Sequence, residues 1–197
     1  MNAKTKLGFL FLILSLLTVP PAMASKQKTY SKKSEYHKVF KDWTQKQEVY
    51  QREDFYASMT WAATLLSPEF LTAQNNEIAR IYRQTDAEKT KSSDERIAKF
   101  ANATVFFVSF YGYDYRTSNL AKKDSIWKLR LEVDGKRYDP VKFESMSKPT
   151  PIDGQLFPYI NPWSYHYYVY FPNVALNGAR QIKLTIDGPF SHGSLAW

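Results

Sequence analysis

The chain has 197 residues, a formal net charge of +8, 16% aromatic residues and no cysteine. That length gives one or two domains and a core able to stand without disulfides. The aromatic content excludes a disordered chain, and the missing thiols exclude dithiol redox chemistry and thiolate-held metals.

Residues 1–24 read as a secretory signal peptide. Lys4 and Lys6 precede the apolar run Leu7 to Val19, and Ala22 and Ala24 supply a small-residue cleavage site. A run of 13 residues is shorter than the roughly 20 that suit a membrane-spanning helix, so no transmembrane segment is expected in the mature chain. No cysteine follows the run to take a lipid, and no twin arginine precedes it. The expected location is the periplasm or the exterior, where nucleic acid is a poor partner. Cleavage lowers the charge to +6. Residues 25–34 then form a basic linker whose lysines 26, 28, 32 and 33 could lie on an anionic surface but are expected to be solvated.

Residues 35–101 read as a helical segment. Val39, Trp43, Val49, Tyr50, Phe55, Met59, Ala62, Ala63, Leu65 and Leu66 recur mainly at steps of three, four and seven. Ser67, Pro68 and Glu69 then supply a cap, a first-turn proline and a favourable charge, and "SSDERIAKFA" has similar signals. Three helices in an up-and-down arrangement follow from this pattern.

Beyond Asn102 the period becomes two, which predicts a β-domain over 102–197. Trp127, Leu129, Leu131 and Val133 alternate with Lys128, Arg130 and Glu132, and Asp134-Gly135 suits a tight hairpin. Ile182, Leu184 and Ile186 repeat the alternation. Val105 to Phe110 is apolar on both faces, so the helices are expected to cover its outer side. Seven strands are expected, near 104–111, 126–133, 136–143, 155–160, 165–171, 180–187 and 193–197, as in an immunoglobulin-like sandwich. Strands of this length are too short to cross a bilayer as a barrel, for which 9–11 residues are needed.

The stretch Tyr159 to Asn173, "YINPWSYHYYVYFPN", holds eight aromatic rings. As a strand it puts Tyr165, Tyr167, Val169 and Phe171 on one face and His166, Tyr168 and Tyr170 on the other. The first face suits the core. The second is a row of amphipathic rings about 7 Å apart, with Tyr159 and Trp163 presented by the preceding proline-bearing loop. Tyr159, Trp163, His166, Tyr168 and Tyr170 are therefore the candidate binding residues for a protein or a glycan. The competing expectation is that the helices bury the row as packing.

No signature of catalysis occurs, whether zinc-protease, nucleophile-elbow, phosphate-loop or dinucleotide motif, and no cofactor or metal is expected. "DGPFSHGS" brings Asp187, Ser191, His192 and Ser194 close in sequence, but a hydrolase triad is defined in space, and a polar turn accounts for the segment. The single acids at turns, such as Asp114 and Asp153, lack the spacing of a calcium loop.

The succession "DSIWKLRLEVDGKRYDP", "SYHYYVYFP" and "IKLTIDGPFSHGSLAW" resembles exported bacterial proteins of unassigned function that carry a helical front on an immunoglobulin-like β-sandwich. The resemblance implies a location and a fold class and carries over no catalytic residue. The expectation is an α+β protein with an N-terminal helical segment packed on a C-terminal antiparallel immunoglobulin-like sandwich. Its expected role is that of a non-enzymatic interaction module of the cell envelope, binding another envelope protein. The alternative is a glycan-binding module on the aromatic platform, with a polysaccharide as partner.

Overall fold

The computed structural model describes residues 35–50, 57–112, 114–189 and 191–197; the expected signal peptide and basic linker lie outside them. In chain order the elements are α1 (Glu35–Trp43), β1 (Thr44–Tyr50), β2 (Ala57–Leu65), α2 (Pro68–Tyr82), α3 (Asp86–Phe100), β3 (Thr104–Gly112), a 3-10 turn (Tyr115–Thr117), β4 (Lys128–Val133), β5 (Lys136–Tyr138), β6 (Lys142–Ser145), α4 (Pro151–Leu156), β7 (Tyr165–Phe171), β8 (Ile182–Asp187) and β9 (His192–Ala196). The strands pair antiparallel in two sheets, ordered β1-β2-β3-β7-β6 and β5-β4-β8-β9.

Alternation builds the space between the sheets. Leu129, Leu131 and Val133 from β4 and Ile182, Leu184 and Ile186 from β8 point inward, meeting Phe106, Val108 and Phe110 from β3 and Tyr167, Val169 and Phe171 from β7. Burying each such side chain contributes about 1.5–3 kcal/mol. The hairpin at Asp134-Gly135 forms as expected, both residues having positive φ (48° and 82°), and the Asp134 carboxylate accepts from the Arg180 and Gln181 amides.

The helical expectation for 44–50 and 57–65 is overturned, while Phe55, part of the same expectation, lies outside the described residues. The two segments are the antiparallel strands β1 and β2, and β2 pairs with β3 from Met59↔Gly112 to Leu65↔Phe106. Met59, Ala62, Ala63 and Leu66 fit a helical step, but Met59, Trp61, Ala63 and Leu65 follow a two-residue one, and these last four all face the inter-sheet core. The open edge of β3 decides between the two periods, because pairing there satisfies a row of backbone groups that a helix would leave bare. The β1–β2 pair is also fastened to β9: Gln47 Oε1 accepts from Trp61 Nε1 at 3.2 Å and from the Ser194 amide at 3.0 Å.

Two further differences have local causes. The strand expected at 136–143 is split at Asp139-Pro140 into β5 and β6, which belong to different sheets. The strand expected at 155–160 is instead the end of α4 and a turn. Thr150 and Asp153 form a reciprocal capping box and Pro151 opens the helix, a start signal stronger than the short apolar run after it.

Four helices cover the outer face of the five-stranded sheet. Tyr36 and Phe40 of α1, Phe70, Leu71 and Ile78 of α2, Phe100 of α3 and Leu156 of α4 close over Val105, Phe107 and Tyr170, making a second apolar core. The cover expected over β3 is present. Among the described residues no helix is long and apolar enough to cross a membrane.

Candidate binding cleft

The aromatic row on β7 belongs to that second core. Tyr168 stacks on Phe100 at 5.7 Å and lies 5.0 Å from Phe107, and burial pushes its phenol up to about 12. Tyr170 is buried and donates to Glu144 at 3.0 Å. Lys99 and Lys142 clamp the same carboxylate at 2.7 and 3.0 Å, and the Lys99 bond foremost holds Glu144 down to about 2. Tyr159 is half-buried, its hydroxyl bonded to the Phe107 carbonyl and Thr64, with its ring on Phe40. An exposed platform over Tyr159, Tyr168 and Tyr170 is therefore not formed, because α1, α3 and α4 occupy the space in front of it.

Trp163 is the exception, at 72% exposure. Asn161 shapes its loop: the side-chain oxygen accepts from the Trp163 amide and the Ser164 hydroxyl at 2.9 and 3.1 Å, the turn that Asn makes readily, while Pro162 fixes φ between them. Pro162 and Ser164, on either side of Trp163, line a cleft of about 760 Å³.

This cleft lies at one end of the sandwich, between the β3–β4 and β6–β7 connections. Tyr115 and Tyr165 stack within its wall at 4.7 Å and 16°. Pro149 and Pro151 stiffen the opposite side, and Asn119, Ser145, Ser147 and Thr150 add amide and hydroxyl groups. Tyr165, expected as a core ring, is half-buried and shared between core and cleft. Among the described residues that line the cleft none is charged. A second cleft of about 430 Å³ adjoins at Asn161 and Ser164 and reaches Lys46, Glu48 and Trp61.

His166 lines the larger cleft and is only 5% exposed. Its Nε2 lies 3.0 Å from the Asn161 carbonyl oxygen. A carbonyl can only accept, so Nε2 carries the proton and Nδ1 holds a bare lone pair. That Nδ1 is buried and finds no partner among the described residues. Burial pushes the imidazole down from its ordinary pKa, which keeps the ring neutral.

The other sequence candidates separate. Asp187 gives its carboxylate to Arg130 at 3.2 Å, while His192, its neighbour across the β8–β9 ladder, is exposed. Among the described residues no group of three or more His, Asp or Glu is placed to hold a metal ion. The cleft residues Tyr115, Asn119 and Asn161 carried no motif in the sequence; the usable signal was the pair of proline-rich loops, "SKPTP" and "FPYINPWS". No family model, curated protein or solved structure matches the chain.

Proposed function

We propose that the chain is an exported, non-enzymatic binding module on an immunoglobulin-like sandwich, with the cleft at its loop end as the binding site. The strand order supports the immunoglobulin-like assignment: β2-β3-β7-β6 and β5-β4-β8-β9 follow one another as A-B-E-D and C′-C-F-G do in that fold. Trp127, buried beside Phe110 just before the strand in the C position, agrees with it. In such scaffolds rigid sheets hold the end loops still, and the loops bind.

Of the two expected ligands, a glycan suits the cleft better. The observation that carries this reading is the lining, which combines aromatic rings with hydroxyl, amide and imidazole groups and shows no charged side chain among its described residues. A sugar needs ring faces for its C–H surface and neutral donors and acceptors for its hydroxyls, and the volume falls in the usual range for ligand pockets. The test is retention of the purified protein on insoluble polysaccharides. Wild type is expected to be retained, and Tyr115→Ala with Tyr165→Ala to be washed through; wild type that passes every matrix unretained sinks the reading.

The second reading, an envelope protein as partner, has Trp163 in its favour, since exposed tryptophans are frequent anchors of protein interfaces. A photoreactive amino acid in place of Trp163, used in living cells, distinguishes the two. A discrete protein adduct at that position favours the protein partner, and its absence from a strain that retains polysaccharide binding favours the glycan.

A further inference from the structure

The two clefts follow one line across the five-stranded sheet. Lys46 pairs with Ala62, Ala62 with Ser109 and Ser109 with His166, so β1, β2, β3 and β7 each present one residue along a single rung. Residues directly opposite one another share a face of the sheet. Lys46, Ala62 and Ser109 line the smaller cleft, and His166 lines the larger. The Met146 amide, on another lining residue of the larger cleft, donates to the His166 carbonyl at 2.8 Å and continues the line to the end of β6. Five strands about 4.8 Å apart make that line roughly 19 Å long.

One turn divides it. Asn161 and Ser164 line both clefts, and the Asn161 carbonyl lies 3.0 Å from His166 Nε2. Trp163 stands on that turn between the two shared residues, exposed to solvent, with its backbone braced by the Asn161 side chain.

We propose that the two clefts are halves of one groove for an extended saccharide chain, with a stretch of the chain in each cleft and the sugar that crosses the Asn161–Ser164 turn stacked on Trp163. This inference rests on the glycan reading and adds the length of the ligand to it. A disaccharide would occupy one cleft and leave the rest of the line unused. The chemistry is compatible along the whole line. Thr60, Ser109 and Gln47 line the smaller cleft together with one cation, Lys46, and one anion, Glu48, so a neutral chain meets no excess charge in either half. The face of an indole suits the C–H surface of a sugar ring. Two contacts joined in one ligand bind far more tightly than either alone.

The test compares chain lengths by isothermal titration calorimetry on the intact folded protein. The probes are chitobiose and chitohexaose, maltose and maltohexaose, and cellobiose and cellohexaose. In at least one series the hexamer should bind at least about tenfold more tightly than its dimer. Thr60→Trp fills the smaller cleft and Trp163→Ala removes the ring on the turn, and each should remove most of that advantage. Trp163 lies outside both cores, so its truncation decides the matter if Thr60→Trp does not fold. A hexamer no tighter than its dimer, or an advantage that survives in either folded variant, overturns the groove while the glycan reading stands. Failure of every one of these saccharides to bind overturns both.

Discussion

Phe107 and Arg130 hold comparable places, each pointing outward from a strand in the middle of its sheet. Phe107 is wholly buried, 4.0 Å from Phe157 and roofed by helices. Arg130 has no such roof: it is half-buried at the surface, with Asp139 and Asp187 at 3.5 and 3.2 Å. The four-stranded sheet is thus apolar on one face only, and the five-stranded sheet is apolar on both. What covers a face decides what its side chains can do: the rings of β7 are packing because helices lie over them, and only past the end of that cover does the strand contribute to a cleft.

The sharpest test of that contrast is truncation of Phe107. Phe107→Ala should cost about 3–5 kcal/mol, because it removes a ring from both helix and sheet contacts. Urea unfolding monitored by circular dichroism measures this, and a cost near that of a surface substitution would mean that the helical cover is loose. Between the sheets the constraint is excess volume. A Cβ on Gly188 would overlap the Trp127 ring, so Gly188→Ala should cost about 1–3 kcal/mol, seen as a lower thermal midpoint.

The edge of the helical cover should respond to acid. Glu144 is held down to about 2, against an ordinary value of 4.5, by Lys99 foremost and then by Lys142 and Tyr170. Its contribution is present above pH 4.5 and is lost as pH falls towards 2. With these partners partly exposed, Lys99→Ala should cost no more than about 1 kcal/mol, and less at high salt. His166 acts in the same direction at milder pH. Its lowered pKa means that the folded state resists protonation, so stability is expected to decline as pH falls below 6.5. Urea titrations at several pH values should show both, and His166→Phe should flatten only the upper part of the profile. The smallest effect is expected on the open face. Arg130→Ala should change stability by less than about 1 kcal/mol, and a larger loss would show that this sheet face is also carrying structure.

Where burial is one-sided, the fold was legible. Leu129, Leu131, Val133, Ile182, Leu184 and Ile186 alternate strictly with polar residues, and all are inward. The β1–β2 pair was not, because Met59, Ala62, Ala63 and Leu66 also satisfy a helical face, and the deciding partner, β3, lies beyond two helices in the chain. The binding candidates divided for a related reason. Alternation put Tyr168 and Tyr170 opposite Tyr167 correctly, but cannot say whether helices or water lie outside. The cleft arises only when Phe110↔Tyr165 pairing brings the β3–β4 connection, with Tyr115, beside the start of β7. The set of the His166 ring depends in turn on one carbonyl, at Asn161.

The strand order also bears on how the chain reaches this state. β3, the middle of the larger sheet, pairs on one side with β7, and the Thr104 hydroxyl accepts from the Val174 amide across 70 residues. β4 and β8 are held together by a contact spanning 55 residues, from Thr185 to Arg130. Such distant pairings are slow to form, in the millisecond-to-second range for sandwich topologies. A chain in which β7 has not yet paired would leave Phe106 and Phe107 on an open apolar edge, the kind of surface through which unfinished β-proteins aggregate.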